Sequence, residues 1–157
     1  MSRMSRISYG GTAAAVTSTA LVSGLNAVNA TKPILVSALL IAALADNLID
    51  ALSIHVFQES ERLEQKDALT GTITNFAARF LLCVSFVALV LLLPPAHAAE
   101  AAIIWGIALL ATLTYLVARE RGVKPMPEVF KHLVVAAAAI LISKGIGYGI
   151  GAVLTGV

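Results

Sequence analysis

Between Ala45 and Glu61 the chain places two carboxylates, Asp46 and Asp50, an amide, Asn47, a hydroxyl, Ser53, an imidazole, His55, and a further carboxylate, Glu59, on a stretch that starts apolar and ends in charge. These are oxygen and imidazole donors of the kind that suit a transition-metal cation. On a helix Asp46 and Asp50 stand one turn apart, with Asn47 beside them and Ser53 continuing the stripe. His55 falls on another face, one turn before Glu59. A charged side chain near the centre of a bilayer costs about 2.5–3.5 kcal/mol on insertion scales, so such groups face a bundle interior or a water-filled cavity and take a partner there.

The elements that must position these residues are read from composition. The chain has 157 residues, 59% hydrophobic and 13% charged, far from the roughly 25% charged residues of a soluble domain. It is an all-α integral membrane protein of one domain, residues 1–157, with no long polar block left to fold by itself. The net charge of +2 comes from basic residues that flank apolar runs, which excludes a nucleic-acid-binding face. Cys83 is the single cysteine, so no intrachain disulfide can form. No Ser-His-Asp set, phosphate-binding loop or paired-cysteine motif points to an enzyme.

Apolar runs at about 9–28, 34–57, 73–93, 101–118 and 130–155 each approach the length needed to cross the hydrocarbon core. The first is rich in Ala, Thr, Ser and Gly. Arg3 and Arg6 before it, and Val28-Asn29-Ala30 after it, also fit a cleaved signal peptide; Ala13, Thr17, Ala20 and Gly24 suit close helix packing, which favours a first span. Asn29 to Pro33 is a tight turn, with Pro33 opening the second span. That span is expected to continue as helix to Asp67, with Glu61, Glu64 and Asp67 sharing a solvated face. Arg79, near the start of the third span, is expected to snorkel to the interface. Gly145, Gly147, Gly149 and Gly151 close the fifth span as two overlapping pairs of glycines spaced by three residues.

With the N-terminus in the cytoplasm, that side receives Arg3, Arg6, Arg62, Lys66, Arg79, Arg119, Arg121, Lys124 and Lys131, and the far side only Lys32, which sets the orientation and puts the C-terminus opposite.

The Ala51-Leu52-Ser53 segment followed by an acidic end, the run from Thr17 to Leu25, and the Gly147-Tyr148-Gly149-Ile150-Gly151 ending resemble the vacuolar iron transporter family, and the five-span layout is similar over nearly the whole chain. The resemblance implies a homodimer of five-helix subunits that exports Fe2+ or Mn2+ from the cytoplasm, in exchange for protons, across a bacterial inner membrane or a vacuolar-type membrane. No cofactor is bound permanently, and the partners are membrane lipid, the divalent metal ion and a second copy. The chain departs from the family pattern where a first-span carboxylate would fall on Ala13 and a second-span methionine on Ile54; the glutamate that follows falls on Gln58 or Glu59. The chain's own metal candidates are therefore Asp46, Asp50, His55 and Glu59. The competing reading is a bundle that transports nothing, a regulatory or assembly subunit in which Asp46 and Asp50 neutralise Lys144 as an intramembrane ion pair and His55 is a polar anchor.

Overall fold

A computed structural model describes residues 3–60 and 65–155. Every regular element among them is helical: α1 Arg3–Ala27, α2 Lys32–Ile41, a π-helical turn Ala42–Asp46, α3 Asn47–Ser60, α4 Gln65–Leu92, α5 Pro95–Glu120 and α6 Pro125–Thr155. The backbone stays helical from α2 through the π turn into α3, so the described residues form five rods. Lys32–Gln58, Leu69–Leu92, Ala96–Glu120 and Pro125–Leu154 are long and apolar enough to cross a membrane, which makes this a multi-pass membrane protein.

The fifth rod, α1, is not in that set, and its composition explains its place. Gly10, Gly11, Ala14, Ala15, Ser18, Thr19, Val22 and Ser23 are buried, a pair of small residues in every fourth and fifth position. That repeat keeps two adjoining stripes of α1 slim, so α4, α5 and α6 all pack against it at close range. At Gly106 of α5 a side chain would collide with the Thr19 hydroxyl and stand 3.3 Å from Phe86 Cζ. The Thr19 hydroxyl turns inward and donates to Ala15 O at 2.6 Å. A helix enclosed by protein needs small side chains more than apolar ones, and α1 has them.

The ends of the rods are set by local chemistry. Asn29 takes a left-handed backbone with φ 55°, Ala30 N–H reaches back to Leu25 O and Asn29 N–H to Asn26 O, the double bond pattern that stops a helix with a left-handed residue. Gly122, φ 68°, ends α5 in the same way, with Val123 N–H on Ala118 O and Gly122 N–H on Arg119 O. Pro33 stands in the first turn of α2, where its missing N–H is not needed. Lys32 Nζ donates to Leu91 O at 3.0 Å, placing a cation on the carbonyl end of α4, where the helix dipole favours it. One apolar cluster, Val22, Leu35, Leu39, Phe86, Val87, Val90, Ala99 and Ala102, ties α1, α2, α4 and α5 together.

One expectation is corrected, and another falls partly outside the described residues. α3 is described to Ser60 and α4 from Gln65, with Lys66 and Asp67 on α4, so the expected helical run from the second span to Asp67 crosses residues that are not described. Glu61 and Glu64 lie outside the described residues. The third span is longer at its front than the apolar run suggests, because Gln65 to Thr72 is mostly polar but holds no proline, and hydroxyls at Thr70 and Thr74 fold back onto Lys66 O and Thr70 O.

Candidate functional site

The polar centre of the bundle lies where α3 and α4 pack. Along the second rod Leu35, Leu39, Ala43, Asn47, Ala51 and Gln58 are buried, a stripe of period near four that faces inward. Asp46 and Asp50 flank it. Opposite them, α4 presents Asn75 and Arg79, one turn apart and 2% and 3% exposed.

Arg79 is the hub. Its Nη1 lies 2.9 Å from Asp50 Oδ2 and its Nη2 3.0 Å from Asp46 Oδ2, while Nε donates to Asn47 Oδ1 at 2.7 Å. Asn75 Nδ2 donates to the same Asp50 oxygen at 3.2 Å. Asn47 is committed on both sides, because its Nδ2 donates to Ala43 O at 2.7 Å. That carbonyl belongs to the π turn, whose wider hydrogen bonding leaves the Asn47 N–H on Leu44 O instead. The amide therefore stitches the irregular backbone to the guanidinium, and π turns of this kind recur at functional sites.

The site is closed by α1. A side chain at Gly10 would meet Asn75 Oδ1 and come within 2.7 Å of Arg79 Cγ, so only glycine lets α1 lie against this pair. Burial is uneven: the side chain of Asp46 is 51% exposed, that of Asp50 26% and that of Arg79 4%. Asp46 stands one residue past the midpoint of Lys32–Gln58, and Arg79 within two residues of the midpoint of Leu69–Leu92. The centres of two candidate spans thus meet through opposite charges.

The expected partner of the carboxylates is replaced. Lys144 makes no hydrogen bond or ion pair among the described residues, and Arg79, expected to snorkel, is buried and holds both aspartates. The reason is a matter of register. Counted from residue 73, Arg79 is near a helix end; α4 is already helical at Gln65, which puts Arg79 at least 14 residues in, about 21 Å along the axis. His55 is partly buried on α3, five residues beyond Asp50 and on another face. Glu59 lies in the last turn of α3, and its side chain is outside the described part. No three His, Cys, Asp or Glu side chains converge among the described residues. The sequence reading missed Asn75 as well; its signal was a carboxamide four residues before an arginine in an apolar stretch.

Comparison with protein-family models, curated proteins and solved structures finds no match to the chain.

Proposed function

We propose that the chain is a secondary transporter that exports a divalent transition-metal cation, Fe2+ or Mn2+, from the cytoplasm in exchange for protons, as its resemblance to vacuolar iron transporters implies. One observation carries the reading: at the centre of two spans two carboxylates share one guanidinium, which leaves a surplus negative charge, and the side chain of Asp46 is half exposed. Charges at that depth mark ion paths and proton relays more often than inert scaffold, and midspan sites beside irregular helix are the usual place for substrate in secondary transporters. Five crossings with a cytoplasmic N-terminus fit the placement of lysine and arginine. Assembly as a homodimer is supported by the open side of α1, where Thr17 is exposed and Ala13 and Ala20 are only partly covered, since a polar, slim face calls for another helix.

The second reading, a bundle that moves nothing, is favoured by the hold of Arg79 on both carboxylates and by the lack of a third ligand beside Asp46 and Asp50 among the described residues. Uptake of Mn2+ and Fe2+ into proteoliposomes separates the two. The transport reading expects flux above that of protein-free liposomes, and loss of that flux in the Asp46→Asn, Asp50→Asn double variant while the protein stays folded. Flux equal to that of the wild type in the double variant removes the assignment to these residues.

A further inference from the structure

Three features around Arg79 are not accounted for by a fixed ion pair. Its guanidinium has five N–H donors, and three are used, on Asn47, Asp46 and Asp50. Asn75 is 2% exposed, and its Oδ1 is buried with no hydrogen-bond partner among the described residues. An orphaned buried acceptor is costly, about 1–3 kcal/mol. This acceptor lies one turn from Arg79 on the same helix, in the space that Gly10 leaves open beside Arg79 Cγ. Finally, the Asn47 amide joins the guanidinium to the carbonyl of Ala43 inside the π turn.

We propose that Arg79 is a movable counter-cation that sets the charge of the site, seated on Asp46 and Asp50 in the resting state and withdrawn onto Asn75 Oδ1 when a divalent cation occupies the carboxylates. This rests on the transport reading above and adds what selects the ion. With the guanidinium seated, two carboxylates and one cation sum to a single negative charge. With it withdrawn, the two carboxylates carry two negative charges, which a divalent cation matches. Withdrawal also breaks the Arg79 to Asn47 bond, so the π turn is free to rearrange in step with the exchange. Asn75 offers the displaced guanidinium an acceptor that nothing else uses.

The test uses Mn2+ as the probe on full-length protein in lipid nanodiscs. Phenylglyoxal modifies accessible guanidinium groups, and mass spectrometry locates the adducts, with exposed Arg119 and Arg121 as internal references. Because Asn75 Oδ1 lies deeper than the half-exposed Asp46, saturating Mn2+ is expected to lower the modification rate at Arg79 severalfold and leave the references unchanged, and Na+ is expected to leave all three unchanged. Arg79→Gln, which removes the competing charge, is expected to bind Mn2+ at least about tenfold more tightly at pH 8. Mn2+ binding to the wild type with no change at Arg79 overturns the proposal while leaving transport intact, and it does so even where Arg79→Gln fails to fold. If the wild type binds no Mn2+ and moves none into proteoliposomes, the transport reading itself fails and takes the movable arginine with it.

Discussion

Arg79→Met should be the most damaging single change in the membrane interior, lowering stability by about 3 kcal/mol, because it leaves two carboxylates facing each other without a cation. The figure sits at the low end for a buried pair, since the Asp46 side chain is half exposed and water or headgroups screen part of the penalty. Lys144→Met should change stability by no more than about 0.5 kcal/mol, since that ammonium holds nothing among the described residues. Thermal unfolding in mild detergent compares the two. If the loss in Arg79→Met comes from stranded charge, removing both charges with Asp46→Asn and Asp50→Asn in the same chain should restore most of it. A triple variant no more stable than Arg79→Met would mean that the arginine works through packing of its stem.

Gly147→Leu should cost a comparable amount, about 3 kcal/mol or more, by forcing α6 off α1. A side chain at position 147 runs into the carbonyl oxygen of Gly24 and stands 2.9 Å from Ala27 Cβ, and a side chain at Gly24 would in turn lie 3.0 Å from Ser143 O. Backbone cannot yield as a side chain can, so overpacking here exceeds the usual 1–3 kcal/mol of a core insertion. Gly145 and Gly149 face open space, and leucine at either should leave the monomer's stability within about 0.5 kcal/mol of wild type. The four glycines thus divide by face: 147 belongs to the fold and a side chain at 151 would touch Val28 Cγ1 at 3.7 Å, while 145 and 149 are free for whatever packs outside. Equal losses at all four positions would show that the helix tolerates no leucine for reasons of its own. Crosslinking yield in membranes checks the outer pair separately, since only those should alter association between copies.

Much of this architecture is written plainly in the chain, and the gaps have physical causes. The rods follow from long apolar runs, and their ends from Asn29, Pro33, Pro94 and Gly122. The polar centre was visible as Asp46, Asn47 and Asp50, because carboxylates inside an apolar run have no cheap alternative to a partner. The partner was not visible, because hydropathy starts α4 where it turns apolar, whereas the backbone is already helical at Gln65, and the mostly polar turns before residue 73 shift Arg79 from the rim to the middle. Nothing in Ala42-Ala43-Leu44-Ala45-Asp46 announces a π turn either. All five residues favour or accept an α-helix, and the wider turn is stabilised from outside, by the Asn47 amide on Ala43 O and by Arg79 behind it. The enclosure of α1 was legible only in part: its small residues were plain, but that they would face its own neighbours on two stripes, leaving Thr17 outward, depends on where α4, α5 and α6 lie.

The claim on which everything else stands is that Asp50 answers to Arg79 and not to Lys144, and a pair of double-mutant cycles measures it directly. Unfolding free energies of wild type, Asp50→Asn, Arg79→Met and the double variant give one coupling energy, and the same set with Lys144→Met gives the other. The structure predicts a coupling of about 1–3 kcal/mol between positions 50 and 79 and none beyond error between 50 and 144. A coupling of that size with Lys144 and none with Arg79 would contradict it.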